Sequence, residues 1–293
     1  MPRFNLLFCL LVLTLLPIGS ASAQDSTFTR AGIVTAGKAD DPGWDQQGTN
    51  GLKLIGQERA YETSVQDDAG TDDISGKLTD LKDDGAQFIV CHNSAYTDTC
   101  RQFAQDNQIP VTLFDSPSAV IPNLVSSIEI HPEEGGYLAG YLAGRVTKSG
   151  TVAVIVAEDQ PLWNMIIGGF AVGLKASNGS ARLNYIVLEG DDIDDAAKKA
   201  AQEQLDNGAD IVFGLAEGNA AKRMLDAVRD YRDDHDDAAA WYIDVVGDRH
   251  EYGGEALLTS VLYDFAPTYR QMIVDIESRT FGKTYTMDAH NGG

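Results

Sequence analysis

Polar and apolar positions along the chain follow two recurring patterns. Short apolar runs recur, the first being "AGIVTAG" at 31–37, and between them apolar residues fall three and four apart. The runs predict buried β-strands and the wider spacing predicts amphipathic helices. "GTNGLKLIGQERAY" (48–61) sets Leu52, Ile55 and Tyr61 on one helical face. "DISGKLTDLKDDGA" (73–86) is a helix with Ile74, Leu78 and Leu81 inward, ended by Gly85. "TSVQDD", "QFIVCHN", "IPVTLFDS" and "LVSSIEI" are strands, with the helix "YTDTCRQFAQDNQ" among them. "PEEGGYLAGYLAGRVTKSG" (132–150) is a helix whose small residues allow close packing. The pattern then repeats. "TVAVIVAE", "RLNYIVLEG", "DIVFGLAE", "AAAWYIDVVG" and "ALLTSVLYDF" are strands. "PLWNMIIGGFAVGLKAS", "DDAAKKAAQEQLDNGA", "NAAKRMLDAVRDYR" and "PTYRQMIVDIESRTFG" are helices. Alternating strands and helices predict an α/β protein of two similar lobes, each a parallel sheet flanked by helices. The hydrophilic run "DYRDDHDDAAA" (230–240) reads as a solvated loop.

Composition narrows the function classes. At 293 residues the chain is long enough for two lobes, and 43% hydrophobic with 23% charged is a globular composition. With 44 Asp+Glu against 22 Lys+Arg, the net charge is -22, which repels phosphate backbones and excludes a nucleic-acid partner. The N-terminus carries Arg3, an apolar stretch Leu6 to Leu16, and the small-residue site Ala21-Ser22-Ala23. This predicts a signal peptide over 1–23, cleaved near Ala23, and a soluble exported protein of the periplasm. The stretch is too short for a membrane span, and Cys9 lies inside it after Phe8, so no lipid anchor is expected. Cys91 and Cys100 remain after cleavage. In an oxidising compartment they predict a disulfide. His92 beside them admits a metal site, but zinc takes four ligands and only three candidates cluster.

In open parallel sheets, ligands bind beyond the carboxyl ends of the strands. After the apolar runs come Asp40, Asp41, Trp44 and Asp45, then His92 and Asn93, then Asp115, then Glu217 and Asn219, then Asp244. Each Asp or Asn taken singly also reads as a helix N-cap. Taken together with Trp44 they suggest a shared ligand cleft, in which carboxylates accept from hydroxyls and an indole covers a flat ring. The chain carries no G-x-S-x-G, H-E-x-x-H or Walker loop. Binding without chemistry, with no cofactor and no metal, is therefore expected. A glycoside or nucleoside hydrolase using Asp41 and Asp45 is the enzymatic alternative.

Several segments in order resemble a known family. "DPGWDQQGTNGL" resembles a D-x-S-F-N stretch leading into a helix with Gly-Leu; "EEGGYLAGYLAG" is similar to E-x-(S/A)-Y-L-A-G; "PLWNMIIGGFAVGLKA", "GADIVFGLAEG", "WYIDVVGD" and "LLTSVLYDF" follow in sequence. The likeness, over roughly residues 30 to 283, is to the basic membrane protein family of ABC-transporter substrate-binding proteins, which includes purine nucleoside receptors. It implies a type I periplasmic-binding fold with a hinge between lobes. The N-terminal lobe is then 28–130 plus 259–283, the C-terminal lobe 131–258, and 284–293 a tail that stops where the family has a further strand and helix. It also implies a small-molecule ligand, a monomer, and ABC permease and ATPase subunits as partners, with a ligand sensor for a membrane receptor as the alternative. Asp41, Asp115 and Asp244 match ligand-holding aspartates, and Trp44 matches a stacking phenylalanine. Asp45 stands where the family has asparagine and Tyr263 where it often has lysine, so the cleft is expected to be more acidic than in nucleoside-binding relatives. Asn164 and Trp163 are further candidates, while Ile193 stands where an aromatic is expected.

Overall fold

The computed structural model describes residues 28–235 and 239–293. The expected signal peptide and the absence of a lipid anchor fall on residues outside these. No helix among the described residues is long and apolar enough to cross a membrane.

The first sheet contains β1 (Arg30–Val34), β2 (Glu62–Gln66), β3 (Ile89–Cys91), β4 (Val111–Phe114), β5 (Val125–Ile130) and β11 (Thr284–Met287), in the order β11-β5-β4-β3-β1-β2. The second contains β6 (Thr151–Val156), β7 (Arg182–Val187), β8 (Ile211–Leu215), β9 (Trp241–Val246) and β10 (Leu257–Leu262), in the order β10-β9-β8-β6-β7. Every pairing of these strands is parallel. Central strands such as β6 and β8 are buried along their whole length, as expected of sheets covered on both faces. Helices α1 (Trp44–Arg59), α2 (Ser75–Asp83) and α3 (Thr97–Asn107) serve the first sheet; α4 (Pro132–Val146), α5 (Pro161–Ser177), α6 (Ile193–Asp206), α7 (Gly218–Asp234) and the short α8 (His250–Gly253) serve the second. Helix α9 (Ala266–Glu277) returns to the first lobe. Phe265 at its start lies 3.0 Å from where a Cβ on Gly51 would stand, and its Arg270 pairs with Glu58 of α1.

Two boundaries differ from expectation. Residues 259–262 belong to β10, where Ser260 is in register with Asp244 of β9, so the crossing to the first lobe comes after Tyr263. Residues 284–287 are not tail but the edge strand β11, with Tyr285 and Met287 turned inward. The strand is four residues long and only half apolar, too little to register as a run. Its place is held by Asp275 of α9, which accepts from Tyr285 Oη at 2.8 Å and Thr280 Oγ1 at 3.1 Å. The acidic run at 230–240 is also corrected in part. Helix α7 continues through Asp234, because Arg232 is buried under Trp241 and donates to the Ala240 carbonyl at 3.2 Å.

Helices α4 and α5 lie unusually close. Gly136, Gly140 and Gly144 recur every fourth residue on α4, and Gly169 and Gly173 do so on α5. A methyl at Gly140 would lie 2.0 Å from the Phe170 carbonyl oxygen, and one at Gly173 2.0 Å from that of Tyr137. The partners advance in step, 136 with 166 and 140 with 170, so the helices run parallel in contact along their backbones. Only glycine permits this approach.

Candidate functional site

The carboxyl ends of β1, β3 and β4 in the first lobe, and of β8 and β9 in the second, lead into the loops that meet between the sheets. A cleft of about 730 Å³ opens there. Its walls include Asp41 and Gln46 from the first lobe and Asn219, Lys222, Arg249 and Tyr252 from the second.

Trp44 opens α1 and is only partly buried. It and His92 form a reciprocal pair: Trp44 Nε1 donates to the His92 carbonyl at 3.0 Å, and His92 Nε2 lies 2.9 Å from the Trp44 carbonyl. A carbonyl only accepts, so Nε2 carries the proton and Nδ1 is left to accept from Tyr269 Oη at 3.4 Å. The two rings stack at 4.8 Å, and the edges of Phe114 and Phe265 close around the indole at 5.4 and 5.1 Å. A methyl on Gly48 would lie 2.2 Å from the imidazole, so the absence of a side chain there admits the ring. His92 is fully buried, and burial pushes its pKa down to about 4 against the opposing bond to Trp44. It is a neutral part of the aromatic cluster at the start of α1. Its neighbours Cys91 and Cys100 are joined by a disulfide.

The carboxylates do not act alike. Asp41 is exposed on the cleft wall. Asp45 Oδ2 accepts from the Gly37 N–H at 2.7 Å, which secures the loop after β1, while Oδ1 is enclosed without a partner. Burial raises its pKa against the Gly37 and Ala36 amides. Asp244 is wholly buried and fully occupied, accepting from Tyr242 Oη at 3.0 Å and Arg249 Nε at 2.6 Å. Burial pushes its carboxyl up to about 6, with Arg249 opposing. Asp244 thus positions Arg249 rather than presenting an edge to the cleft. Glu217 lies against Gly43 across the lobes, and burial of its carboxyl end, reinforced by Asp45, pushes it up to about 7.

Other candidates stand apart. Asn93 caps the turn Ser94–Tyr96, accepting from Ala95 N at 2.9 Å. Asp115 is exposed after β4 with φ 48°, and partial enclosure of its carboxyl raises its pKa. Tyr263 is buried, its ring 6.0 Å from Trp44 and its hydroxyl without a partner. Asn164 bonds Asp159 at 2.7 Å and lines an apolar groove between α4 and α5, away from the cleft. Trp163 is core at 3% exposure. The expected excess of acid is tempered by Lys222 and Arg249, neither of which sequence reasoning singled out. Arg249 comes five residues after Asp244, beyond a turn, a spacing with no signal of its own.

Comparison with known proteins agrees with this architecture. Basic membrane protein A1 of Borrelia garinii subsp. bavariensis is 22% identical over 269 residues, covering 90% of this chain and 77% of that one. For basic membrane protein A2 of the same organism the identity is 22% over 220 residues, covering 74% of this chain and 65%, just under two thirds, of the relative. A solved ABC transporter solute-binding protein from Conexibacter woesei shares the fold, with a TM-score of 0.76 at 17% identity over 90% of this chain and 86% of that one. The model of the Bmp family, described as ABC transporter substrate-binding protein PnrA-like, matches residues 28–293, and with every described residue inside that match, the chain belongs to this family.

Proposed function

We propose that the protein is a periplasmic receptor that takes a small polar solute with a flat, nucleoside-like ring between its lobes and passes it to the permease and ATPase of an ABC importer. The observation that carries this reading is the meeting of Asp41 and Gln46 from one lobe with Asn219, Lys222 and Arg249 from the other. Such a wall both accepts and donates, as a ribose or a base edge requires. Trp44, partly exposed and set in the sequence between Asp41 and Gln46, is held in orientation by His92. Asp115, Asn93 and Tyr263 are assigned here to the surroundings of the site, and Asp244 to the placement of Arg249. Closure about the crossings at Ile130–Pro132 and Tyr263–Ala266 would enclose the ligand without any covalent step.

The test is a thermal-shift screen with purine and pyrimidine nucleosides, free bases, sugars and polyamines. A ligand at a hundred times its Kd adds about 2.7 kcal/mol, a rise of several degrees. A nucleoside shift that disappears in Trp44→Leu and in Asp41→Asn is the expected result. A shift with sugars or polyamines alone removes the flat-ring assignment and keeps the receptor.

A further inference from the structure

Helix α1 starts without a cap of its own: Gly43 is the N-cap and no side chain of the segment bonds the first turn. Free N–H groups at a helix start attract an anion. Here the anion comes from the other lobe. Glu217 precedes α7, and its carboxylate reaches across to the start of α1, so that a methyl on Gly43 would lie 3.0 Å from Oε2. One residue further on, Asp45 Oδ1 is enclosed with no donor. Two carboxyl groups from opposite lobes therefore meet at one helix terminus, and one acceptor there lacks a proton to accept. A proton on Glu217 supplies a donor in that neighbourhood.

We propose that Glu217 is a proton-operated latch that holds the second lobe against the N-terminus of α1 before any ligand arrives. This rests on the reading of the molecule as a hinged receptor. The charged groups around it are Asp41 and Asp45 on the α1 side, Asp244, Asp248, Arg249 and His250 on β9 and the loop after it, and Lys222 on α7. Arg249 is committed to Asp244, so it offsets the Glu217 charge only in part. In the closed arrangement burial, then Asp45, raise the Glu217 pKa from 4.5 to about 7, and the Trp44 N–H and Arg249 oppose the rise. In an open arrangement the carboxyl meets water and returns to its ordinary value. A pKa that is higher when closed means that closing takes up a proton. Closure is then favoured as pH falls through 7 and levels off below 4.5. Glu217 is exposed as a residue, so the change in the closed-to-open ratio is set at about tenfold after discounting for solvent.

Small-angle X-ray scattering on the ligand-free protein tests this. The wild type is expected to contract between about pH 8 and pH 5, by about 1 Å on a radius of gyration of about 19 Å. Glu217→Gln, whose amide donates at every pH, stays contracted at both. Glu217→Ala stays expanded at both, with circular dichroism reporting an intact fold. A pH step that persists in Glu217→Gln overturns the latch and leaves the hinge standing. A radius that moves in no variant at either pH overturns the hinge with it. Because no solute is added, failure of the nucleoside assignment is read separately in the thermal-shift screen.

Discussion

At His92 a titratable ring is enclosed on every side, stacked on Trp44 and pressed into the space left by Gly48. Its pKa of about 4 lies below the ordinary 6.5, so the unfolded chain takes the proton first as pH falls. The stability involved is complete above pH 6.5 and is lost down to pH 4, about 3 kcal/mol in all. Glu217 and Asp244 shift the other way and favour the folded state over the same range. Comparing wild type with His92→Gln by urea unfolding at pH 7.5 and 4.5 separates these effects: the variant is expected to lose less on acidification. Arg249 is governed by the same logic of enclosed charge. Arg249→Met strands the buried Asp244 and is expected to cost about 3–5 kcal/mol, most of it recovered in Arg249→Met with Asp244→Asn. A double variant no more stable than the single one would remove the pairing argument. Asp244 was read as a carboxylate following an apolar run, and it lies inside β9. That its oxygens face Arg249 and Tyr242 was not legible, because it depends on a turn whose course the sequence does not mark.

Among the elements, the α4–α5 contact makes the sharpest demand on side chains. Gly140→Ala sets a methyl against a backbone carbonyl and is expected to destabilise by about 1–3 kcal/mol. Gly168 on the outer side of α5 has nothing within 4 Å of an added methyl. Gly168→Ala is expected to stabilise by about 0.5–1 kcal/mol through helix propensity alone. Opposite signs in thermal melts of the two variants are the check. The disulfide between Cys91 and Cys100 closes a short loop, and Cys91→Ala with Cys100→Ala is expected to lose about 2–3 kcal/mol. The long elements were legible from periodicity, and the small residues of 132–150 announced close packing. The edge strand β11 was not, since Tyr285 and Met287 alone are too few apolar positions to separate a strand from a tail. The end of α7 was misread for the opposite reason: its charged surface hid Arg232, whose aliphatic stem and guanidinium are folded under Trp241.

For the whole molecule, a net charge of -22 means self-repulsion in the compact state. Raising salt from low to physiological strength shortens the screening length to about 8 Å and is expected to raise Tm; a flat response would show the acids to be spaced too widely to matter. The two lobes and their parallel sheets followed from the strand–helix alternation, but the position of the return crossing did not, because β10 and α9 read the same whichever sheet receives them. That crossing has a bearing on how the chain is made. The second lobe is one continuous stretch, whereas the first needs both the opening segment through β5 and the closing segment from α9 to β11. As the chain leaves the ribosome from its N-terminus, the second lobe has all its strands in hand while the first still lacks its edge. The lobe that begins first in the sequence is therefore the one completed last.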